Sequence, residues 1–515
     1  FLRRYLPSWR YLSVIEDSNR ILKPGLCAWL FFLEKEKIMN KRPEWILPNL
    51  KKAQVRTKNT IERIDSFIIP ENAKFIGNGK KYYISTYGCQ ANERDSETLA
   101  GILDSLGFEK SESPEDVDVI LINTCAIRQN AEEKVLGEIG NFKRLYRANK
   151  DLVIGVCGCM AQEEGLVNTL LEKYPQVRLL FGTHNIHQLP EMLYSVMFEK
   201  KRVVKIYSKE GEVYENLPVH RFGKHKAWVN IMYGCDKFCT YCIVPYTRGK
   251  QRSRTMDQIL FEVKELYDQG YKEITLLGQN VNAYGKDIDP NMNFACLLEE
   301  VAKIGIPRIR FTTSHPWDFS DDMIDVIAKY DNIMPFVHLP LQSGDDEILK
   351  RMGRRYTSES YMELFNKIVT KIDRVAVSTD VIVGFPNESD EQFEHTLEIM
   401  EKCKFDNAFT FIFSPRPGTP AARMEDPIDF ETKKKRLARL NTLWNKYALE
   451  KNKAYEGKVV KVLVDGFSKK DDHVYSGYTD TNKLVNFTGE NIQPGDFVDV
   501  LLETGKTFSL DGRVV

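Results

Sequence analysis

The chain has 515 residues, enough for about three domains of the usual size, and its 42% hydrophobic and 28% charged residues are typical of a soluble globular protein. Its formal net charge is zero, which excludes a global electrostatic attraction to nucleic acid, so any RNA contact has to come from a local patch. Ten cysteines are too few for a disulfide scaffold, and we predict a reducing, cytoplasmic compartment.

Residues 1–38 differ in character from the rest of the chain. Arginines precede an apolar run at 26–33, which is too short to span a membrane and lacks the small-residue cleavage site of a secretory signal. We therefore predict an extension outside the fold, with a chain start at Met39, and no membrane association. Together with the polar segment that follows, residues 1–78 are expected to form a poorly ordered lead-in.

A regular alternation of strands and helices begins at Lys81. The predicted strands are 82–86, 117–122, 152–156 and a short one at 203–207, and the predicted helices are 93–106 and 131–146, with one or two more after 162. Strands separated by single helices form parallel sheets with right-handed crossovers. We thus predict a parallel α/β domain over residues 79–220.

Three cysteines stand directly after the first three of these strands: Cys89, Cys125 and Cys159. Because parallel strands place their carboxyl ends along one sheet edge, these thiols, 36 and 34 residues apart, can converge on one site. They could hold an iron–sulfur cluster with one iron not bound by cysteine, or they could be three buried core cysteines. Cys157 competes for the third position, and Cys159 is preferred because it lies further beyond the strand end.

A second set of cysteines, Cys235, Cys239 and Cys242, follows a basic linker at 218–226 and a strand predicted at 228–232. Thiolates with the spacing C-x3-C-x2-C bind a soft metal or an iron–sulfur cluster. Three ligands satisfy three irons of a cubane and leave the fourth open to a substrate. The alternative is a zinc knuckle that recruits a distant fourth ligand.

Helix and strand signals repeat after this loop and predict a partial (β/α)6 barrel over residues 221–453. The predicted strands are 228–232, 274–277, 309–314, 336–339, 376–382 and 409–413, and the predicted helices include 256–269, 296–304 and 432–453. In such barrels the active site lies at the carboxyl ends of the strands. The last helix begins with basic residues from Lys433 to Arg436, which are either a phosphate-contact stripe or a solvated face.

Short strands punctuated by glycine predict a small antiparallel β-barrel in residues 454–515. These strands are 459–464, 474–478, 484–487, 497–502 and 507–510. The candidate RNA-contacting residues are Lys458, Lys461, Lys469, Lys470, Lys483, Phe467, Tyr475 and Tyr478. The aromatic rings would either stack on unpaired bases or fill the core of the barrel.

Four stretches carry a family resemblance: TYGCQAN at 86–92, NTCAIR at 123–128, AEEKV at 131–135 and CIVPYTRG at 242–249. With the order of the predicted domains, they make residues 80–515 resemble the radical S-adenosylmethionine (SAM) methylthiotransferases, whose terminal domain is the RNA-binding TRAM domain. Two positions depart from the family pattern. Ala91 stands where methionine is usual, and Cys157 stands where glycine is usual, which leaves a spare thiol near the predicted cluster.

The resemblance implies two [4Fe-4S] clusters and SAM as cofactors. The cluster ligands would be Cys89, Cys125 and Cys159 for an auxiliary cluster and Cys235, Cys239 and Cys242 for the cluster that cleaves SAM. The expected SAM-binding residues lie in three loops and are Gly278, Gln279, Asn280, Gln342, Ser343, Asp380 and Gly384. The first of these loops differs from the family's Gly-Gly-Glu motif. No catalytic residue is expected beyond the clusters.

The branch of the family that these stretches resemble converts N6-isopentenyladenosine, next to the anticodon of tRNA, to its 2-methylthio derivative. A 5′-deoxyadenosyl radical made from SAM would remove hydrogen from C2 of adenine, which no acid or base group could do. The implied partners are the tRNA anticodon stem-loop and an electron donor such as flavodoxin or ferredoxin, with the enzyme a monomer. The alternatives are the branch that modifies threonylcarbamoyladenosine and a non-catalytic RNA-binding protein with a structural metal.

Overall fold

The computed structural model describes residues 61–126, 129–206, 212–289 and 291–515, with no description of the side chains at 129–131 and 133. The predicted extension at 1–38 and the predicted start at Met39 lie outside these ranges. The described residues belong to one compact unit. The domain boundaries at 220 and 453 stay predictions.

A six-stranded parallel sheet with flanking helices forms the first part of the described chain. The strands, including a separate short pair β1 and β8, are β1 Glu62–Ile64, β2 Lys81–Tyr87, β3 Glu109–Lys110, β4 Val119–Thr124, β5 Val153–Gly158, β6 Val177–Phe181, β7 Val203–Lys205 and β8 Glu212–Tyr214. The helices are α1 Gln90–Ser105, α2 Gln129–Ala148, α3 Glu164–Lys173 and α4 Leu189–Met197. The strand order β3-β2-β4-β5-β6-β7 confirms the predicted parallel α/β fold.

Strand β6 is an element that the sequence analysis missed. All of its residues are buried, and Arg178 donates from Nη2 to the backbone oxygen of Val196 at 2.6 Å. A strand buried in a parallel sheet is recognised in a sequence as a continuous apolar run. Arg178 interrupts that run, and its hydrogen bond to the carbonyl of Val196 on α4 compensates for its burial.

The lead-in from residue 62 onward is packed on the rest of the chain, which differs from the poor order expected of it. β1 pairs in parallel with β8. Arg63 donates to the backbone oxygen of Ser253 at 3.1 Å and forms an ion pair with Asp287 at 3.1 Å. These partners are distant in the sequence, so no local pattern near residue 62 indicates them.

The central part forms the predicted partial (β/α)6 barrel. Its strands are β9 Lys226–Asn230, β10 Met232–Tyr233, β11 Arg252–Ser253, β12 Glu273–Leu277, β13 Arg308–Thr312, β14 Phe336–His338, β15 Ala376–Val383 and β16 Asn407–Ile412. Its helices are α5 Val244–Thr247, α6 Met256–Asp268, α7 Phe294–Ile304, α8 Asp321–Lys329, α9 Asp346–Arg351, α10 Ser358–Lys371, α11 Asp390–Cys403 and α12 Phe430–Lys453. β10 and β11 form an antiparallel hairpin outside the parallel strands.

The six parallel strands of the barrel form two sheets of three, in the orders β13-β12-β9 and β14-β15-β16. Side chains on the outer face of these strands, such as those of Val229, Leu276 and Val377, are buried under the helices in one large core. Four of the described strands, β9, β13, β14 and β16, end a sheet, but β13 is joined to the segment before β14 by the parallel pairing of Ile309 with Ile333. The barrel is therefore open between β9 and β16.

The terminal part is a closed five-stranded barrel. Its strands are β17 Val459–Ser468, β18 Asp471–Tyr478, β19 Leu484–Thr488, β20 Phe497–Gly505 and β21 Leu510–Val514. The order around the barrel is β17-β18-β19-β21-β20, and the pairing of β19 with β21 is parallel while the others are antiparallel. The predicted small β-barrel is thus confirmed, with one pairing that differs from a wholly antiparallel one. Within the described helices, none has the length and apolar character needed to traverse a lipid bilayer.

The terminal barrel docks on the amino ends of the central strands. Arg308 donates to the backbone oxygens of Tyr478 at 2.7 Å and Lys461 at 2.9 Å, and Arg310 donates to that of Thr479 at 2.8 Å. Lys483 is buried and forms an ion pair with Asp406 at 3.0 Å. The expected RNA contact of Lys483 is therefore wrong, because its side chain is buried in this docking interface, whereas the half-buried ring of Tyr478 stays a candidate.

Candidate active site

The first three cysteines of interest lie together at the carboxyl edge of the N-terminal sheet. Cys89 follows β2 and caps α1, Cys125 follows β4, and Cys159 begins a 3₁₀ turn after β5. The strands β2, β4 and β5 are adjacent in the sheet, which is why the three residues meet. The thiols of Cys89 and Cys125 are hydrogen-bonded to each other. We call Cys89, Cys125 and Cys159 the first triad.

A buried amide network fixes the loops of the first triad. Asn92 donates from Nδ2 to Oδ1 of Asn123 at 3.2 Å, and Asn123 donates from its own Nδ2 to the backbone oxygen of Asn92 at 2.8 Å. Gly158 has φ 93°, and a Cβ there would clash with Asn123 and with the backbone of Thr124. Only glycine fits this turn without strain, and the turn delivers Cys159 to the sheet edge.

Cys157 faces a different environment from Cys159. Its Sγ donates to the backbone oxygen of Ile122 at 3.6 Å, and its side chain belongs to the core that includes Leu121 and Leu179. Cys159 instead packs with Ala126 and Ile243 at the sheet edge. The choice of Cys159 as the third ligand stays a prediction, and its position beside the other two thiols supports it.

The second triad, Cys235, Cys239 and Cys242, lies in the loop that joins β10 to β11. Gly234 begins the loop with φ 70°, and the backbone nitrogen of Cys235 donates to the oxygen of Gly249 at 3.1 Å, which closes it. Cys242 donates its backbone N–H to the oxygen of Cys239 at 3.0 Å. The backbone nitrogen of Thr240 donates to the oxygen of Met352 at 2.9 Å. This hydrogen bond fixes the cysteine loop to the carboxyl end of α9.

The two triads meet across the boundary between the N-terminal sheet and the central barrel. Ile243, the residue after Cys242, packs directly on Cys159 and Ala126. Oγ1 of Thr183 donates to the backbone oxygen of Thr247 at 2.7 Å in the same region. Two cysteine sets that are more than 75 residues apart (Cys159 and Cys235) therefore lie on neighbouring loops.

Arg248 places a buried positive charge beside the first triad. It forms an ion pair with Asp95 on α1 at 2.7 Å, and both side chains are buried. The hydrogen bond from Cys125 lowers the pKa of Cys89 to about 5, with help from the charge of Arg248 and against the effect of burial. Burial raises the pKa of Cys159, which Arg248 partly offsets.

Arg354 is the buried cation beside the second triad, as Arg248 is beside the first. Its Nη1 donates to Sγ of Cys239 at 3.3 Å and lies 2.7 Å from Nε2 of His315. Burial raises the pKa of Cys242 to about 12 and also raises the pKa of Cys235. Buried thiols of this kind become thiolates when metal cations supply the compensating charge.

The donor set fits an iron–sulfur cluster better than a single metal ion. Within the described residues, no three His, Cys, Asp or Glu side chains are close enough to share one ion. In a cubane each thiolate binds a different iron, so three thiolates do not have to approach one point. Each triad consists of three cysteines, whose soft thiolates suit three irons of a cubane and leave the fourth iron open.

Three of the expected SAM-binding residues follow β12. Nδ2 of Asn280 donates to Oδ2 of Asp318 at 2.7 Å, whereas its Oδ1 is buried and has no hydrogen-bond partner among the described residues. An unsatisfied buried acceptor of this kind suits the amino group of SAM. Gln279 is half-buried beside it, and Gly278 packs on Met232.

The other expected SAM-binding residues lie on the second sheet of the barrel. Gln342 is buried with φ 68°, and Asp380 is half-buried on the inner face of β15. Ser343 is buried and its hydroxyl accepts from the backbone nitrogen of Asp345 at 3.2 Å. The backbone nitrogen of Gly384 donates to Glu388 at 2.7 Å. The SAM contacts expected of Gln342, Ser343, Asp380 and Gly384 stay predictions.

Two arginines of the site were not assigned from the sequence. Arg248 lies in one of the stretches of family resemblance, six residues after Cys242, and that position was the one available signal. Arg354 lies 115 residues after its partner Cys239, and no sequence pattern links them.

The basic start of α12 is neither a continuous phosphate-contact stripe nor a fully solvated face, since Lys434 and Lys435 are exposed but Lys433 and Arg436 are not. Lys433 is paired with Asp426, and Arg436 is paired with Glu388 at 2.9 Å; both cations are buried. By contrast, Phe467 of the terminal barrel is exposed and stacks on Tyr475 with ring centroids 4.6 Å apart. The aromatic pair of the terminal barrel is therefore the better RNA-contact candidate.

Comparisons with known proteins agree with this arrangement. Family models match residues 81–182 (Uncharacterized protein family UPF0004), 229–400 (Radical SAM superfamily) and 453–515 (TRAM domain). Relatives named tRNA-2-methylthio-N(6)-dimethylallyladenosine synthase, from Anoxybacillus flavithermus and Bacillus subtilis, are each 56% identical over 472 residues. The match covers 92% of this chain and 90% and 93% of the two relatives. The chain belongs to this family of radical SAM methylthiotransferases.

A solved structure supports the fold of the methylthiotransferase. The radical SAM methyltransferase TsrM from Kitasatospora setae, with tryptophan and a SAM analogue bound, aligns with a TM-score of 0.50 at 14% identity. The alignment covers 67% of this chain and 75% of that chain. Membership of the family also identifies the cofactors as SAM and [4Fe-4S] clusters.

Proposed function

We propose that the chain is a tRNA methylthiotransferase that converts N6-isopentenyladenosine, which is the N6-dimethylallyladenosine of the relatives' names, to its 2-methylthio derivative. The observation that carries this function is the meeting of two cysteine triads at one site. A structural metal needs a single closed set of four ligands, whereas two adjacent sets of three fit a reaction with two clusters. The relatives' names favour this branch over the threonylcarbamoyladenosine branch.

In this proposal each triad holds one [4Fe-4S] cluster. Cys89, Cys125 and Cys159 hold the auxiliary cluster, and Cys235, Cys239 and Cys242 hold the cluster that binds SAM. When bound, the clusters and SAM supply the methylthio group and the radical chemistry that breaks the C2–H bond of adenine. The packing of Ile243 on Cys159 keeps the two sets of ligands adjacent, which supports a shared substrate between them.

The residues of this chain hold the cofactors and balance their charge. Arg248 and Arg354 place a cation beside each triad, which favours the thiolate state that metal binding needs. Asn280 presents its Oδ1 to the amino group of SAM, and Asp318 orients the amide through its hydrogen bond. We further propose that Gln342 and Asp380 contact the remainder of SAM.

The terminal barrel would supply contacts to the tRNA anticodon stem-loop. Phe467 offers an exposed aromatic face, and Lys469 and Lys470 follow it in an exposed turn. An aromatic platform beside cations is a common surface for unpaired bases. The electron donor, which we expect to be a flavodoxin or ferredoxin, the monomeric state and the cytoplasmic location stay predictions.

Nucleoside analysis of tRNA tests the proposed function. A strain that lacks this chain should accumulate N6-isopentenyladenosine and lose the 2-methylthio derivative, because in the proposal this chain performs the reaction at C2 of adenine. Expression of the intact chain should restore the product, and expression of Cys235→Ala should not. An unchanged amount of the 2-methylthio nucleoside in the deletion strain would rule the function out.

A further inference from the structure

Two phenylalanines on β16 are exposed although they lie on the inner face of the central barrel. Phe409 is 48% exposed and Phe411 is 46% exposed. Between and beside them, Ala408 is buried and Thr410 bonds Asn441 of α12, so these alternate residues belong to the helix-covered face. Since side chains alternate along a strand, Phe409 and Phe411 point into the barrel about 7 Å apart.

Strand register places these rings beside the expected cofactor pocket. Phe409 is paired with Asp380 of β15, and Phe411 is paired with Ile382. The ring of His338 lies edge-on to Phe409 with centroids 6.0 Å apart, and its Nδ1 is 2.8 Å from Oγ of Ser378. Nε2 of His338 lies 3.4 Å from Oδ2 of Asp380. At the level of Phe409 the inner face therefore changes from polar on β14 and β15, at His338 and Asp380, to apolar on β16.

The apolar part lies on the last strand of the barrel, which has no neighbouring strand on its far side. β16 borders the opening between the two sheets of the barrel. The amino ends of the strands are covered by the terminal barrel, which Arg308 and Arg310 hold in place. A tRNA base therefore approaches the site from the carboxyl ends of the strands, and Phe411 lies near the carboxyl end of β16.

We infer that Phe409 and Phe411 bind the dimethylallyl group of the target nucleoside and set the preference for a prenylated adenine. This inference rests on the proposed function, because the prenyl group is what distinguishes the proposed substrate from adenosine. The five-carbon dimethylallyl group would cover the two rings and remove their apolar surface from water, whereas unmodified adenosine would leave that surface exposed to solvent. The adjacent polar residues, His338 and Asp380, keep the adenine and ribose side of the pocket hydrophilic.

Binding of two synthetic anticodon stem-loops to the holoenzyme tests this inference. One stem-loop carries N6-dimethylallyladenosine at the target position and the other carries adenosine. The variants are Phe411→Ala, Phe409→Ala and the conservative Phe411→Leu. Phe261→Ala is the matched control, because Phe261 is also an exposed phenylalanine but lies on helix α6 outside the barrel.

The expected result is a loss of discrimination. Each alanine variant should lower the affinity ratio of prenylated to unmodified stem-loop by roughly tenfold, through weaker binding of the prenylated RNA alone. Phe411→Leu should restore most of the ratio, since leucine keeps an apolar contact. Phe261→Ala should leave the ratio as it is in the parent enzyme.

Three results would overturn the inference. An unchanged ratio would show that the rings do not contact the prenyl group, and an equal loss for both stem-loops would assign them to general RNA binding or to the fold. A fall in SAM affinity without RNA would assign the rings to SAM. Failure of the parent enzyme to form the methylthio product from the prenylated stem-loop would instead reject the proposed function, so the two failures are distinguishable.

Discussion

Each cysteine triad has a buried arginine next to it, and each arginine comes from a different part of the chain from the thiol it serves. Arg248 follows the second triad in the sequence but lies beside the first, where it is paired with Asp95. Arg354 reaches Cys239 from the loop after α9. Charge balance at both sites is thus a property of single residues that long-range contacts deliver.

The pair Cys157 and Cys159 allows a matched test of ligand identity. Cys159→Ala should reduce bound iron by about half and keep uncoupled SAM cleavage, because one ligand of the auxiliary cluster is lost. Cys157→Ala should keep the full iron content, since that thiol points into the core of the sheet. Iron analysis and 5′-deoxyadenosine formation measure both effects. The reverse pattern would make Cys157 the third ligand.

The terminal barrel is attached to the rest of the molecule as a fixed element. Arg308 and Arg310 donate to its backbone carbonyls, and Lys483 forms a buried ion pair with Asp406. Truncation before Gly457 would remove these contacts and expose the docked surface of the central barrel to water, although Arg310 would keep its ion pair with Glu273 and Asp406 its ion pair with Lys451. Removal of the whole element is therefore a poor test of RNA binding, and a surface substitution is a better one.

Substitution of the exposed aromatic ring tests the tRNA surface of this element. Phe467→Ala should weaken tRNA binding by about 1–3 kcal/mol, the usual value of one stacked base, and should keep iron content and fold. Phe508→Ala is the control, because Phe508 is similarly exposed but packs on Trp444 of α12. Gel shift at fixed salt measures the affinities. Equal affinities for Phe467→Ala and the parent would move the RNA surface elsewhere.

The whole molecule holds the two cysteine triads next to one boundary, between the N-terminal sheet and the central barrel. Glu262 of α6 is a shared partner at that boundary, with Arg94 of α1 at 3.2 Å and Arg254 at 2.5 Å. Although burial opposes ionisation, these arginines keep the pKa of Glu262 well below its ordinary value. The boundary is therefore held by charge as well as by packing, which keeps the two triads in a constant relation.

Iron stoichiometry tests the two-cluster arrangement. Anaerobically reconstituted protein should bind about eight irons, four for each cubane. Cys235→Ala should lower the iron content by about half and abolish 5′-deoxyadenosine formation, because in the proposal this triad holds the cluster that binds SAM. Cys296→Ala, an exposed cysteine outside both triads, is the control. Normal SAM cleavage by Cys235→Ala would contradict the assignment of the second triad.

Local sequence patterns were enough to predict the fold class and to identify the two cysteine triads. Strand runs and helix periodicities depend on neighbouring residues, so β2, β4 and β5 and the barrel strands were predictable to within a few residues. Cys89, Cys125 and Cys159 each follow a strand, and the rule that parallel strands end at one edge predicted their convergence. The spacing of Cys235, Cys239 and Cys242 is itself a local signal.

Tertiary structure alone decided what depends on contacts between distant residues. Lys483 appeared to be a surface cation, yet it is buried against Asp406, 77 residues away. Arg248 and Arg354 acquire their positions only when loops from separate domains meet, and the exposure of Phe409 and Phe411 follows from the open edge of a barrel. A single sequence shows the periodicity along the chain. Which polar groups pair and which aromatic rings stay exposed to solvent depends on packing between residues that are distant in the sequence.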